Sequence, residues 1–313
     1  MSTICRPPEK GIALVLVLWV LMLLTVIAGS YVSSMRTETL LARNLVAQAQ
    51  ARALADGAVQ RGIHELLKPP TDTGGWKADG KPRTWEGDGF RIRLIIGDES
   101  GKIDINTASD TLLKGLFLSV GLGEPESIAL LDAVLDWRDP DEARRPSGAE
   151  AAEYAAAGKK YIPANAAFEV VEEFGQVMGV SPLLYRKLQD ALTVLSGQPG
   201  INPALASRQV LLAIPNAEAN LVDNYIALRQ DALESAQPVP PFPLASDIAQ
   251  SGQPTAYTLR AEAALSSGES FVREAVVTLT AKQNTRRPYT VLSWKEGKAS
   301  DFQVDMKAMD FGK

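Results

Sequence analysis

The most pronounced pattern in the chain is an uncharged, apolar run from Ile12 to Val32. As a helix, about 21 such residues rise ~1.5 Å each and match the thickness of a bilayer core. Beyond this run, apolar residues recur at helical spacing, good helix formers dominate, and no proline interrupts the sequence before Pro69. The pattern predicts one helix from about Ile12 to Leu67, with a lipid-facing first half and a second half that packs on a globular domain.

Alternation of apolar and polar residues, typical of half-buried strands, appears on both sides of a long helical middle. It runs from Phe90 to Ile96 and again from Tyr257 to Leu265, where a turn and the β-rich stretches "FVREAVVTLTA" and "YTVLSW" follow. These segments predict a first strand, then a hairpin and one further strand. The middle, roughly Asp104 to Ser251, has helical periodicity throughout, including "AFEVVEEFGQVMG" and "LLYRKLQDALTVL", and is predicted to be all α.

Composition narrows the function classes. The formal net charge of -5 argues against a broad grip on nucleic acid, which needs clustered Lys and Arg. The only cysteine is Cys5 and the only histidine is His64, so an intramolecular disulfide, a hydrolase triad and a histidine metal site are excluded. Glycine-rich phosphate loops are also missing from the sequence. We therefore expect a protein that is not an enzyme.

The start of the chain admits three interpretations. In the first, the run is a secretory signal. Val26-Ile27-Ala28 resembles the small-residue cleavage site of such signals, and cleavage near Ala28 would release a secreted protein. An ordinary signal anchor would keep the run as a permanent span. The third interpretation rests on a short leader with Arg6 and Lys10 that ends in Gly11 and is followed directly by the apolar helix.

This leader and helix resemble the type III signal of type IV pilins and pseudopilins. The resemblance implies that a prepilin peptidase cuts after Gly11 and methylates the new amino terminus at Ile12. The family has a glutamate at the fifth mature position, where this sequence has Leu16. That departure is typical of the K class of minor pseudopilins of the type II secretion system, and "RTETLLARNLVAQAQARALADG" is similar to the helix of that class.

The resemblance extends over most of the chain and implies an α+β fold, in which a pilin-like long N-terminal helix packs on an antiparallel sheet and a large all-α domain of helical hairpins is inserted between the strands. The predicted divisions are a leader (1–11), the transmembrane half of the helix (12–32), the pilin-like helix with the first strands (33–103), the inserted α-domain (104–251), and the closing strands with a C-terminal tail (252–313).

An acidic segment within the predicted α-domain is the block most specific to this class. Between Asp136 and Glu153, six carboxylates accompany three arginines. Calcium takes six to eight oxygen ligands, but an EF-hand counted from Asp139 would place Arg144 where the loop needs glycine, so any calcium site here is irregular. From the residues alone, a solvated loop of acids paired with arginines is the favoured interpretation.

Calcium binding in the α-domain is implied by the resemblance to the K class. Glu142 is expected to face solvent, and carboxylates at five other positions are the candidate ligands: Asp136, Asp139, Asp141, Glu150 and Glu153.

By the same resemblance, the chain is expected to be a single-pass protein of the bacterial inner membrane with a cytoplasmic N-terminus and a periplasmic globular domain. It would cap the tip of the pseudopilus and help to initiate its assembly, so that folded proteins are exported across the outer membrane. The implied partners are the I and J minor pseudopilins, the major pseudopilin, the prepilin peptidase, the assembly platform and inner-membrane lipid, but no nucleic acid.

The alternative is a membrane-anchored binding protein. Two segments, Val177 to Leu192 and Leu211 to Arg229, resemble helix-hairpin-helix elements that present turn amides to a DNA phosphate. Neither is flanked by a basic patch, and the second lacks a glycine in its turn. This alternative therefore predicts a basic groove that the sequence does not show.

Overall fold

The structure is a computed structural model, and it describes residues 12–69, 75–235, 237–244, 248, 256–279 and 288–298. The helices are α1 (Ile12–Leu66), α2 (Asp110–Ser119), α3 (Glu124–Arg138), α4 (Ala151–Ala156), α5 (Pro182–Leu188), α6 (Arg208–Leu211) and α7 (Ala219–Glu234). The strands are β1 (Pro82–Gly87), β2 (Phe90–Asp98), β3 (Ile103–Asp104), β4 (Leu192–Thr193), β5 (Tyr257–Leu265), β6 (Ser270–Leu279) and β7 (Tyr289–Glu296).

Helix α1 is continuous over 55 residues, as its proline-free sequence predicts. Among the described residues, it is the one helix long and apolar enough to cross a membrane, with a mean hydropathy of 2.6 in its apolar window. Side chains in that window are exposed to their surroundings, Trp19 at 70%. An all-round apolar helix without a protein partner is typical of a lipid-embedded segment. The first half of α1 therefore suggests a single membrane anchor.

The second half of α1 packs on a five-stranded antiparallel sheet in the order β1-β2-β5-β6-β7. The buried helix face is made mostly of alanines, with Val59 and Ile63 near its end. Small side chains bring the helix close to the sheet, where Leu94, Leu259 and other apolar residues of β2, β5 and β6 meet it. This helix-on-sheet layer is the α+β unit that the sequence predicted.

The inserted α-domain leaves and re-enters the sheet at one point. Asp98, the last residue of β2, pairs with Tyr257, the first residue of β5, so the insertion begins and ends at the same end of two neighbouring strands. Beyond Asp98, a 3₁₀ turn (Glu99–Gly101) is pinned by the Glu99 N–H, which donates to the Ala256 carbonyl at 3.0 Å. The α-domain is therefore joined to the sheet by two adjacent, hydrogen-bonded chain segments.

The inserted domain has its own core, separate from that under α1. Phe117 of α2 stacks on Phe174 with centroids 6.3 Å apart, and Trp137 of α3 lies against both Tyr154 and Phe168. Apolar residues of α5, α6 and α7 complete this core. It gives the domain an independent apolar interior.

Three local predictions differ from the structure. The helix expected to begin near Phe168 is a 3₁₀ helix, Val171–Gln176, whose first turn is capped by the Glu173 carboxylate. The helical pattern after Pro182 ends at Leu188, because the following residues form β4 and pair in parallel with β3. The sheet also has an edge strand, β1, that alternation did not single out, since it begins at a proline within a turn-rich stretch.

Candidate functional site

The acidic segment begins at the C-terminal end of α3, where Asp136 is fully buried. Its two oxygens accept the backbone N–H of Arg145 at 3.2 and 3.3 Å, which folds the following loop back over the helix. A Cβ on Gly148 would lie 2.0 Å from Asp136 Oδ2, so the loop can make this approach because residue 148 is glycine. Burial raises the pKa of Asp136, and the hydrogen bond from Arg145 opposes that shift.

Two arginines form ion pairs with three of the carboxylates in this segment. Arg145 lies between two acids, with Nε 3.5 Å from Asp136 Oδ1 and Nη2 3.9 Å from Asp139 Oδ2. Arg144 Nε lies 3.5 Å from Glu153 Oε1. The arginines are 42–48% exposed and the ion pairs are long, as expected of a solvated acidic loop, although Asp136 itself is buried. Long ion pairs with exposed arginines contribute little to stability.

Glu150 does not fit that simple arrangement. It precedes α4, its side chain is 6% exposed, and neither carboxylate oxygen has a hydrogen-bond partner among the described residues. Burial, followed by the charges of Asp136, Asp139, Asp141 and Glu142, raises the pKa of Glu150 to about 7. A buried, unbonded carboxylate surrounded by other acids is energetically costly unless positive charge compensates it.

Asp139 shows the same feature more weakly. Its Oδ1 atom is buried and has no hydrogen-bond partner in the described part of the chain, and burial with the charge of Asp141 raises its pKa. Asp141 itself is exposed and accepts the Ala143 N–H at 2.8 Å, and Glu142 is exposed as expected. Glu153 accepts the Glu150 N–H at 3.0 Å and caps the first turn of α4.

In the structure, the five candidate ligands lie along one segment, but their carboxylates do not converge on a common position. Among the residues it describes, no group of three or more His, Cys, Asp or Glu side chains stands close enough together to hold a metal ion. The orphaned oxygens of Glu150 and Asp139 nevertheless match the hard oxygen donors that calcium takes. The donor chemistry therefore fits calcium, with Glu150 and Asp139 as the residues whose hydrogen bonding is incomplete.

Three further predicted positions concern the N-terminus. Gly11 lies outside the described residues, and Ile12 is the first residue of α1. Leu16 is 62% exposed on the apolar half of that helix. Its side chain presents no charge at the position where pilin-like helices have a glutamate.

The arginines next to the second helical hairpin are held in contacts within the described part of the chain. In the second hairpin, Asn216 supplies the left-handed turn conformation, with φ at 62°, where a glycine is absent. Arg208 forms a two-pronged ion pair with Asp223 at 2.6 and 2.9 Å. Arg229 donates to two backbone carbonyls of a neighbouring loop. The arginines nearest to this turn are thus engaged within the chain, which does not favour a phosphate-binding role.

Two features of this region, a buried oxygen of Asn165 and a cavity, are not among the predicted site positions. Asn165 has φ at 47°, and its Oδ1 atom is buried without a hydrogen-bond partner among the described residues. A cavity of about 400 Å³ also opens beside the acidic segment, between α3, α4 and the turn at Met178. A Pro-Ala-Asn sequence could have drawn attention to Asn165, but no sequence pattern marks the cavity, since its lining comes from four separate stretches.

Comparisons with known proteins agree with this architecture. Residues 94–197 match the family model described as "Type II secretion system (T2SS), protein K". No curated protein sequence matches the chain. The matched residues extend from within β2 to just past β4 and include the whole acidic segment.

A solved structure shares the fold. It is a chain of the GspK-GspI-GspJ complex from the type II secretion system of enterotoxigenic Escherichia coli, with a TM-score of 0.59 and 15% sequence identity. The similarity covers 84% of this chain and 100% of that chain. The long helix, the antiparallel sheet and the added helices therefore form a fold that a known crystal structure also has.

Proposed function

We propose that this chain is a minor pseudopilin of the protein K family of the type II secretion system and that it caps the tip of the pseudopilus. In that role it helps to initiate assembly of the filament, which exports folded proteins across the outer membrane. The role is mechanical and involves no catalysis. It makes α1 both the membrane anchor before assembly and the packing element of the filament.

The observation that carries this proposal is the position of the α-domain. Because Asp98 and Tyr257 are paired neighbours, the inserted domain projects from one end of the two central strands. A domain of this size would obstruct lateral stacking of identical subunits along a filament. At the tip there is no subunit above to be obstructed.

Leu16 supports the same position. In related filaments a glutamate at this place meets the amino terminus of the neighbouring subunit, and an unpaired ion in lipid costs several kcal/mol. A subunit with nothing above it has no use for that charge. An exposed leucine at position 16 is the side chain that the bilayer favours there.

Partners follow from the proposed role. The solved relative is part of a complex with GspI and GspJ, and we infer that this chain assembles with the corresponding I and J minor pseudopilins. The major pseudopilin, the prepilin peptidase and the inner-membrane assembly platform complete the expected set. The N-terminus would be cytoplasmic and the sheet and α-domain periplasmic.

We also propose that the acidic segment binds calcium. Asp136, Asp139, Asp141, Glu150 and Glu153 would supply oxygen ligands, and a bound cation would neutralise repulsion between the carboxylates. The unbonded oxygens of Glu150 are the main support. The proposed consequence is a more ordered loop between α3 and α4, on which the shape of the α-domain depends.

The tip position can be tested with a unique label. Cys5 is the only cysteine and lies in the predicted leader, so an Asp231→Cys variant, at an exposed position of α7, carries one thiol after processing. Gold-maleimide labelling of pseudopili in electron micrographs is expected to mark one end of each filament. Labels repeated along the filament would show that the chain is a lateral subunit and overturn the proposal.

A further inference from the structure

The cavity beside the acidic segment is lined on one side by a face of α3. Glu126, Ala129, Leu130 and Ala133 recur there at three- and four-residue spacing, and so lie on the same side of the helix. Leu122, Ala157 and Met178 close the other sides. At about 400 Å³, the cavity is within the size range of sites that bind small ligands, and large enough for one bulky side chain.

Small residues keep this cavity open. Ala129, Ala133 and Ala157 contribute single methyl groups, and Gly179 has φ at +88°, where a side chain would be strained. Gly148, on the same wall, has no room for a Cβ because Asp136 stands behind it. The floor is therefore apolar, and backbone constraints as well as side-chain size fix its shape.

The rim of the cavity is acidic. Glu126 is exposed on the first turn of α3 and forms no ion pair with the described residues, and Glu153 stands at the opposite edge. No lysine or arginine lines the cavity in the described part of the chain. Arg144 approaches Glu153 from outside at 3.5 Å, and both side chains are more than a third exposed. The chain's own arginine thus occupies the Glu153 edge, and Glu126 at the opposite edge is the exposed carboxylate available to a basic group of a partner.

We propose that this cavity binds an extended peptide segment of another protein that carries a large apolar side chain next to a lysine or arginine. The apolar side chain enters between α3 and Met178, and the basic group pairs with Glu126. Burying the side chain supplies most of the affinity, and the ion pair selects the charge of the neighbour. This site is independent of the tip assignment, since it needs neither α1 nor the partner pseudopilins.

The test uses the full chain in lipid nanodiscs and three fluorescein-labelled pentapeptides, with the central sequences Lys-Leu-Lys, Glu-Leu-Glu and Lys-Ser-Lys. Fluorescence anisotropy is expected to show saturable binding of the Lys-Leu-Lys peptide, with the other two weaker by about tenfold or more. Hydrogen exchange of the bound complex is expected to show protection in α3 and around Met178. Equal affinity for the Glu-Leu-Glu or the Lys-Ser-Lys peptide would overturn the proposal.

Variants locate the binding in the cavity. Ala129→Phe fills it and is expected to weaken Lys-Leu-Lys binding by about tenfold, and Glu126→Lys reverses the rim charge and should weaken it by about fivefold. Asp231→Lys, a matched charge reversal at an exposed position of α7, should leave affinity unchanged. Because Glu126 is exposed, its variant folds even if Ala129→Phe does not. Wild-type affinity in Glu126→Lys, or protection elsewhere in the domain, would contradict the proposed site.

Discussion

Arg273 of β6 donates from Nε to Asp56 Oδ1 of α1 at 2.6 Å, and this bond joins residues 217 positions apart in the chain. The Arg273 side chain is 4% exposed, whereas that of Asp56 is 34% exposed. Arg273 also lies under Trp294 of β7 and beside Phe271. The contact therefore ties the second half of α1 to β6, near the β7 edge of the sheet.

Removing the acid of this pair should destabilise the globular part. Asp56→Ala leaves a buried guanidinium without its carboxylate, and the expected loss of unfolding free energy is about 2 kcal/mol, less than for a fully buried pair because Asp56 is partly exposed. Denaturant unfolding of the detergent-solubilised chain measures it. Asp231→Ala on α7 is the control and should change stability by less than about 0.5 kcal/mol.

Two helix glycines should respond oppositely to the same substitution. A Cβ on Gly62 would lie 2.7 Å from Leu259 Cδ2 and 2.9 Å from Leu94 Cδ2, whereas a Cβ on Gly57 meets nothing within 4 Å. Gly62→Val overfills the helix–sheet interface and should cost about 1–3 kcal/mol. Gly57→Val should be neutral or stabilising by a few tenths of a kcal/mol, roughly the difference in helix propensity. Equal melting temperatures of the two variants would contradict this packing.

The junction between sheet and α-domain should show an acid-dependent stability. Burial opposes ionisation of Glu99, but the Lys102 ammonium at 2.7 Å and hydrogen bonds from Lys102, Thr193 and Thr258 lower its pKa below 4.5 overall. Stability contributed by Glu99 is therefore present above pH 4.5 and is lost as the pH falls through the lowered value. Unfolding free energies of the wild type and Glu99→Gln should differ at neutral pH and converge in acid. A constant difference between pH 3 and 7 would show that the charge is not responsible.

Glu150 should show the opposite pH dependence when calcium is chelated. Its folded pKa is raised from 4.5 to about 7, so its protonation stabilises the fold below pH 4.5, and that stability is lost as the pH rises through 7. In chelator at pH 8, Glu150→Gln is therefore expected to be more stable than the wild type. When calcium is added, the melting temperature of the wild type should rise, and that of the variant should rise much less. A variant that gains as much as the wild type would remove Glu150 from the ligand set.

The elements most accessible to sequence reasoning were those with long, regular patterns. The helix predicted from about Ile12 to Leu67 and the strands of the hairpin follow from period and composition. By contrast, β3 and β4 are two residues each and pair within the α-domain. A strand this short shows no alternation of apolar and polar residues that a sequence pattern could reveal. The 3₁₀ helix at Val171 depends on a capping carboxylate and on packing of Phe174, which helical periodicity cannot distinguish from an α-helix.

The candidate site was predicted as a set of residues but not as a geometry. Counting carboxylates identified the acidic segment, and the missing EF-hand glycine predicts that any calcium site there is irregular. Nothing in the sequence indicated that Arg145 would lie between Asp136 and Asp139, or that Glu150 would be buried without a partner. Those features depend on how the loop folds back on α3, which is set by tertiary contacts such as the one at Gly148.

The most direct test is the intact mass and N-terminal residue of the chain purified from membranes of cells with and without a prepilin peptidase. With the peptidase, the predicted product begins at N-methylated Ile12 and retains the whole of α1. Without it, the chain should keep its leader. A chain that begins near Gly29, or one that still carries Met1 in the presence of the peptidase, would contradict the assignment as a pseudopilin.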